Sequence, residues 1–318
     1  MPASEQYRRQ AALVIGVLPF VAEETCFALK GGTAINLFVR NMPRLSVDID
    51  LTYLPVADRK TSLAEIDGAM RRIAERIQNG LPGVRVTSSK LKEERIISKH
   101  FVELDGVQIK IEVAAVLRGC VYEPETRSVS EAVEAAFGFA EIQVVNFADL
   151  FAGKLVAALD RQHPRDLFDV RDLLSNEGVS EKLRTAFVVY VISHNRPMAE
   201  VLAPARQDIT QEFERGFAGM TEGPVTLEEL LKVREDLIAE LVGKMPAEHR
   251  KFLASFKRGQ PEWELLGIPH VEQLPAVRWK MQNLAAMEPE KRQQLIENLL
   301  KALEIEGYGA SDPLALRL

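Results

Sequence analysis

Lys30-Gly-Gly-Thr-Ala-Ile-Asn-Leu-Phe-Val, followed by Leu45-Ser-Val-Asp-Ile-Asp-Leu, brings together residue types suited to phosphate chemistry. Gly31 and Gly32 close a strand-like run, FALK, and open a helical one. Glycine lets the backbone approach a ligand closely, and the start of a helix presents unpaired N–H groups to a phosphate. Sixteen residues beyond Gly32 stands Asp48, and then Asp50. Side chains alternate along a strand, so Asp48 and Asp50 share one face while Val47, Ile49 and Leu51 share the other. Two adjacent carboxylates beside a core repel each other and call for a cation. Mg2+ (or Mn2+) takes oxygen ligands and bridges to phosphates, so the spacing predicts a site for a metal ion beside a phosphate cradle.

A third acid extends the pattern. In VQIKIEVAAV (107–116), Ile109, Ile111 and Val113 form one face and Lys110 and Glu112 the other. With this strand beside the Asp48–Asp50 strand, Glu112 completes a three-carboxylate site for one or two metal ions. Further on, Lys154 lies in an apolar helical run with Leu150, Phe151, Leu155 and Val156, so its ammonium must emerge or find a partner. Asp166 and Asp169, three apart, share a face of the next helical run, and Asp172 continues it. A surface salt-bridge lattice between the two helices accounts for these residues as well as a site does. Arg161, His163 and Arg165 cluster in the intervening turn, His163 with no assigned role. Arg44 is either a phosphate or RNA contact or an ordinary surface arginine. Taken singly, a Gly-Gly, an Asp-x-Asp or Glu112 reads as turn or solvated face; their order and spacing together carry the chemistry.

The elements that must position these residues follow from periodicity. FALKGG reads as a strand ending at the glycines, TAINLFVRN as a helix and SVDIDLTYL as a strand. TSLAEIDGAMRRIAERIQNG is helical, and VRVTSSKL, RIISKHFVEL and VQIKIEVAAV are strands, the last two joined by an Asp105-Gly106 hairpin signal. IQVVN is one more short strand. From Asn146, a plausible N-cap, the pattern is helical over 147–160, 164–175, 180–194, 226–243, 246–257 and 288–304. The stretch 258–278, with three prolines, reads as an extended connector. The expected fold is α+β: a mixed sheet with helices over 1–145, then a mostly helical domain over 146–318.

The length of 318 residues suits two domains, at about 150 residues each. No apolar run reaches the ~20 residues of a membrane helix. The N-terminal stretch has two arginines and apolar residues but no small-residue cleavage site, and reads as a helix. Cys26 and Cys120 sit among apolar residues and read as buried free thiols, which suggests a cytoplasmic location. A net charge of −6 and a pI of about 5.6 argue against nonspecific coating of nucleic acid, while leaving room for a local basic groove.

The order GG-x15-D-x-D with a later strand-borne acid resembles the nucleotidyltransferase superfamily of DNA polymerase β. More narrowly, KGGTAINLFV…RLSVDIDL is similar to the AbiEii/AbiGii toxin family, which includes the mycobacterial MenT toxins. FAGKLVAALDRQHPRDLFDVRDLL, with Lys154 and Asp169, and LPAVRWKMQNL (274–284), with Trp279-Lys280, agree with that family. The resemblance implies that Asp48 and Asp50 bind the metal and that Gly31, Gly32 and Thr33 hold the nucleotide phosphates. It implies that Lys154 neutralises the triphosphate and that Asp169 orients the lysine or the incoming group. Ser46 matches a nucleotide-site position that is phosphorylated by the antitoxin in some relatives, where added charge would obstruct nucleotide binding. The third acid is often Asp in the family and is Glu112 here. The implied reaction is NMP transfer from an NTP to the 3′ end of tRNA, held in check by a cognate antitoxin. A protein or small-molecule hydroxyl as acceptor, or a non-catalytic nucleotide-binding regulator, stay open as alternatives.

Overall fold

The computed structural model describes residues 5–304. The chain divides into two compact units: Met1–Leu150 with Glu212–Thr226, and Phe151–Gln211 with Leu227–Leu318. The first four residues of the N-terminal stretch lie outside the described residues.

The first unit opens with α1 (Glu5–Ala22), β1 (Phe27–Lys30) and the single turn α2 (Gly31–Ala34). It continues with β2 (Asp48–Tyr53), α3 (Arg59–Gly80), β3 (Arg85–Lys90), β4 (Ile97–Leu104) and β5 (Val107–Ala114), then β6 (Glu125–Ser128), α4 (Glu131–Phe137) and β7 (Glu141–Val144). The seven strands form one sheet in the order β3-β4-β5-β2-β1-β7-β6. It is mixed: β2 runs parallel to β5 and antiparallel to β1, and β1 runs parallel to β7. Alternation explains the central strands, with Val107, Ile109, Ile111 and Val113 buried and Lys110 and Glu112 part-exposed on the other face. Asp105 and Gly106, at φ 51° and 74°, make the two-residue β4–β5 turn; both need the left-handed region that Asp-Gly tolerates.

In α3, Leu63, Ile66, Met70, Ile73 and Ile77 recur at helical spacing and are buried, and Asp58 caps the start by accepting from the Thr61 N–H at 3.0 Å. The helix is tied to the residues after α1 through Glu24, 6% exposed, which accepts from Arg72 Nε at 2.8 Å, Arg72 Nη2 at 2.7 Å and Arg76 Nη1 at 2.5 Å.

The chain goes on through α5 (Phe147–Asp160), α6 (Pro164–Asn176), α7 (Glu181–Ser193), α8 (Met198–Leu202), α9 (Thr210–Gly216), α10 (Leu227–Ile238), α11 (Ala247–Arg258), α12 (Pro275–Ala285) and α13 (Pro289–Ala302). Asn146 caps α5 as expected, its side chain accepting from the Ala148 N–H at 3.1 Å. The second unit's core is helix on helix, built on Phe151, Leu155, Leu167, Phe187, Leu230, Phe252 and Phe256.

Four expectations are corrected. The helix over 33–41 is the α2 turn followed by a π-helical turn, Ile35–Val39. The connector over 258–278 contains short 3-10 turns, Trp263–Leu265 and Pro269–Gln273, and then α12. Proline reads as a breaker, but Pro275 sits in the first turn of α12, where its missing N–H has no helical partner to lose. β6, α4, α8 and α9 carry no apolar periodicity long enough to announce them; β6 is a polar edge strand. Cys26 and Cys120 are half-buried rather than buried, both are free, and burial pushes each thiol up to about 12.

Burial by itself would raise the Glu24 carboxyl; the bonds from Arg72 and Arg76 bring it below its ordinary value. The stabilisation this anchor provides is therefore full above the unfolded carboxylate value and is lost as pH falls through the lower folded one. Glu24→Gln should lower stability at pH 7 by about 2 kcal/mol, the range for hydrogen bonds to a charged group. Its deficit relative to wild type should shrink in urea melts below pH 4; an equal deficit at both pH values would refute the assignment.

Candidate active site

The carboxylates lie on the central strands of the sheet. Lys30 on β1 pairs with Asp50 on β2, Asp50 pairs with Glu112 on β5, and Glu112 pairs with Lys99 on β4. Paired residues share a sheet face, so these four form a row across the strands, cation–anion–anion–cation. One step along, Asp48 on β2 pairs with Lys110 on β5. Lys110 Nζ stands 3.3 Å from Asp48 Oδ2 and 3.0 Å from Glu112 Oε2, and Lys99 Nζ stands 3.2 Å from Glu112 Oε1.

The charges feel this placement. Burial raises the Asp50 carboxyl above its ordinary value; Lys110 and Lys30 oppose the rise while Asp48 and Glu112 add to it. Burial pushes the Lys30 ammonium down, against the pull of Asp50. Burial works against Glu112 as well, yet Lys110 and Lys99 bring its carboxyl below the usual range. Asp50 is thus the strained anion of the row, and Asp48, with half its side chain exposed, is the one open to an incoming ion.

The glycine turn is shaped by this row. Gly31 has φ 77°, and a Cβ there would stand 2.8 Å from Asp50 Oδ2. A Cβ on Gly32 would stand 2.7 Å from Ser46 Oγ and 2.8 Å from Arg44 Nη2. The space that the two glycines vacate is filled by a carboxylate on one side and by a serine and a guanidinium on the other. Asn36, fully buried, holds the turn: its Nδ2 donates to Gly32 O at 2.8 Å, and its Oδ1 accepts from the Arg44 N–H at 3.3 Å. Arg44 is 3% exposed, which corrects its reading as a surface arginine; Nη1 donates to Leu45 O at 2.9 Å. Ser46 Oγ lies 3.2 Å from Thr33 Oγ1, and its N–H donates to the buried Tyr7 hydroxyl at 3.3 Å.

Asp48 and Asp50 suit a divalent cation: two carboxylates on one strand face, one exposed and one driven up in pKa by burial and by anionic neighbours. Glu112 stands opposite Asp50 as expected, but both its oxygens are drawn to lysines. Among the described residues no three His, Cys, Asp or Glu side chains are grouped as a metal-binding set.

Lys154 is described within the second unit. Its Nζ donates to Asp166 Oδ1 at 2.7 Å and stands 2.9 Å from Asp169 Oδ2, both on α6. Arg161 Nε adds a bond to Asp166 Oδ2 at 2.5 Å. Lys154 and both aspartates are buried, so this is a core ion cluster and not a surface lattice. Burial would raise the Asp166 carboxyl, but Lys154 and Arg161 hold it well below the usual carboxylate range. His163 caps α6, its Nδ1 accepting from the Arg165 N–H at 3.1 Å. Asp172 accepts from Asn176.

The structure thus brings Asp48, Asp50, Glu112, Gly31, Gly32, Thr33 and Ser46 together, and Lys154 with Asp169. Periodicity missed Lys30, Lys99, Asn36 and Tyr7. Asn36 has a visible signal, a polar residue inside the apolar run AINLFV; Lys30 and Lys99 acquire meaning only from the register of strands distant in sequence.

Residues 12–283 match the model of the AbiEii nucleotidyl transferase toxin family of type IV toxin–antitoxin systems. No curated protein sequence matches the chain. Among solved structures, the chain is similar in fold to MenT4, a nucleotidyltransferase toxin from Mycobacterium tuberculosis H37Rv, with a TM-score of 0.58 and 18% identity over 93% of this chain and 94% of that one.

Two outcomes are expected. Gly31→Ala should destabilise the fold by about 1–2 kcal/mol through its left-handed backbone, with added damage from the displaced Asp50; a thermal melt unchanged from wild type would mean that the turn yields freely. Asp50→Asn should raise the melting midpoint without metal, by about 1 kcal/mol of stability, since it removes a buried charge beside two like charges. A lowered midpoint would show that the Lys30 and Lys110 attractions outweigh the burial.

Proposed function

We propose, from the fact that this chain belongs to the AbiEii nucleotidyl transferase toxin family, that it transfers NMP from an NTP to the 3′ end of a tRNA. The observation that supports this chemistry is the Asp48–Asp50 face of β2, laid against the Gly31-Gly32 turn, where a Cβ on Gly31 would stand 2.8 Å from Asp50 Oδ2. In the reaction an acceptor hydroxyl oxygen bonds to the α-phosphorus and the bond from that phosphorus to the β-bridging oxygen breaks. Pyrophosphate leaves, and the hydroxyl proton passes to solvent. Asp48 and Asp50 are the residues that would hold Mg2+ (or Mn2+), which supplies charge neutralisation and orientation of the phosphates when bound. The turn from Gly31 to Thr33 receives the phosphate chain.

Lys110, between Asp48 and Glu112, offsets part of the site's negative charge before substrate arrives, and Glu112 joins the ligand set by giving up a lysine. The family resemblance assigns neutralisation of the triphosphate to Lys154; within its own unit that lysine is held by Asp166 and Asp169, at the expense of part of its free charge. Nucleotides added to a tRNA 3′ end block aminoacylation and so arrest translation, and a cognate antitoxin protein restrains the activity. Phosphorylation of Ser46 would place a dianion against Gly32 and Thr33, where the phosphates of the substrate belong. No helix among the described residues is long and apolar enough to cross a membrane.

The test is incubation of the purified chain with Mg2+, each α-labelled NTP and total tRNA, read on a denaturing gel. Label should appear in tRNA and vanish with Asp48→Ala, whose melting curve stays within error of wild type. Lys154→Ala should weaken NTP binding by about tenfold or more, the loss of one charge-assisted contact. Label in protein or in a small molecule in place of RNA would move the acceptor and keep the site; retained activity in Asp48→Ala would remove the metal role.

A further inference from the structure

Residues 40–47, between the π-helical turn and β2, belong to no helix and to no strand of the sheet. They nevertheless supply one wall of the glycine turn, where a Cβ on Gly32 would stand 2.7 Å from Ser46 Oγ and 2.8 Å from Arg44 Nη2. Asn36 holds this stretch through the Arg44 N–H at 3.3 Å, and Tyr7 holds it through the Ser46 N–H at 3.3 Å. A third hold comes from far along the chain. Arg44 and Thr221 form an antiparallel bridge. On one side of the pair the Leu45 N–H donates to Met220 O at 3.0 Å, and on the other the Glu222 N–H donates to Pro43 O at 3.1 Å. Bonds that flank the pair and do not join it mark the closer kind of antiparallel pairing, with the two side chains next to each other on one face. The Thr221 hydroxyl donates to Gly223 O at 2.7 Å and closes the turn that follows. Behind the bridge the Met220 N–H donates to Phe217 O at 2.9 Å; Phe217 is 1% exposed, with its ring 5.8 Å from that of Phe213, and roots the segment.

The stretch 212–226 belongs to the first unit, although the chain runs through the second both before and after it. Mere anchoring of a returning segment has simpler solutions. The edge strands β3 and β6 present longer rows of backbone groups for pairing. The segment pairs instead with Pro43, Arg44 and Leu45, next to the residues that line the cradle. An irregular stretch without such a hold samples many conformations, and a ligand that needs one of them binds only the fraction that has it.

We infer that Met220, Thr221 and Glu222 form a positioning strap, which keeps Arg44 and Ser46 at the glycine turn in the nucleotide-free protein so that the phosphates of the NTP meet a preformed cradle. The inference rests on the nucleotide reading of the Gly31-Gly32 turn and adds to it the residues that fix the wall away from the carboxylates. Loosening the strap raises the apparent dissociation constant in inverse proportion to the competent fraction. Bound NTP selects the competent form, and transfer then proceeds as before. The strap therefore acts on KM for the NTP and leaves kcat in place.

The experiment uses the full chain with Mg2+ and fluorescent analogues of the four NTPs, and measures their dissociation constants beside KM and kcat for the NTP in the labelling assay. Glu222→Pro deletes the N–H given to Pro43 and should raise both the dissociation constant and KM about tenfold, with kcat held within about twofold, as for a competent fraction cut to about a tenth. Glu222→Ala removes only an exposed side chain, keeps the N–H and should match wild type. Thr221→Ala, which loses the contact beside Arg44 and the bond to Gly223, should shift KM in the same direction by about threefold; it decides the matter if the proline variant does not fold. Hydrogen exchange at the Leu45 amide should be faster in Glu222→Pro and slow again with NTP bound, while the Ile49 and Leu51 amides stay protected. Unchanged nucleotide affinity despite faster exchange at Leu45 would overturn the strap and leave the nucleotide reading standing. A fall in kcat at unchanged KM would overturn it too, since the segment would then act on the chemistry or on the fold at large. Absence of binding of any of the four analogues to wild type would remove the nucleotide reading and the strap together.

Discussion

Two carboxylates cannot be placed side by side on the central strands of a sheet unless positive charge is built in around them. That constraint organises the first unit. Asp50 lies between Asp48 along its own strand and Glu112 across the ladder, and the sheet answers with Lys30, Lys110 and Lys99 from three other strands. The arrangement keeps the protein folded with its anions in place while leaving Asp50 incompletely compensated. A residual negative imbalance of this kind is what a bound divalent cation would relieve.

The glycines follow from the same row. A side chain at Gly31 would collide with the Asp50 carboxylate, and one at Gly32 with Ser46 and Arg44. Asn36 and Tyr7 then fix the segment that runs from the turn to β2. In the second unit the solution to buried charge is different: Lys154 is enclosed with two aspartates and an arginine, so charge is balanced within one pair of helices.

Much was legible in the residues themselves. Strand alternation placed Asp48 with Asp50 and Lys110 with Glu112 on common faces, and helical spacing located α3, α5, α6, α7, α10, α11 and α13, because these patterns are local and repeat within one element. The Asp105-Gly106 turn was legible for the same reason. Polar edge strand β6 and the proline-started helix α12 were not, since neither shows apolar periodicity and proline at a first turn looks like proline in a break.

What the sequence by itself determined is therefore the chemistry that neighbours along the chain can spell: a glycine turn, a strand-borne aspartate pair, and a lysine that must find partners in an apolar helix. Tertiary structure alone decided who those partners are. Strand register put Lys30 and Lys99 at the two ends of the carboxylate row, helix packing gave Lys154 to Asp166 as well as Asp169, and the loop after α2 buried Arg44. The physical reason is that a charge's environment depends on distances of a few ångströms across the fold, which join residues tens of positions apart in the chain.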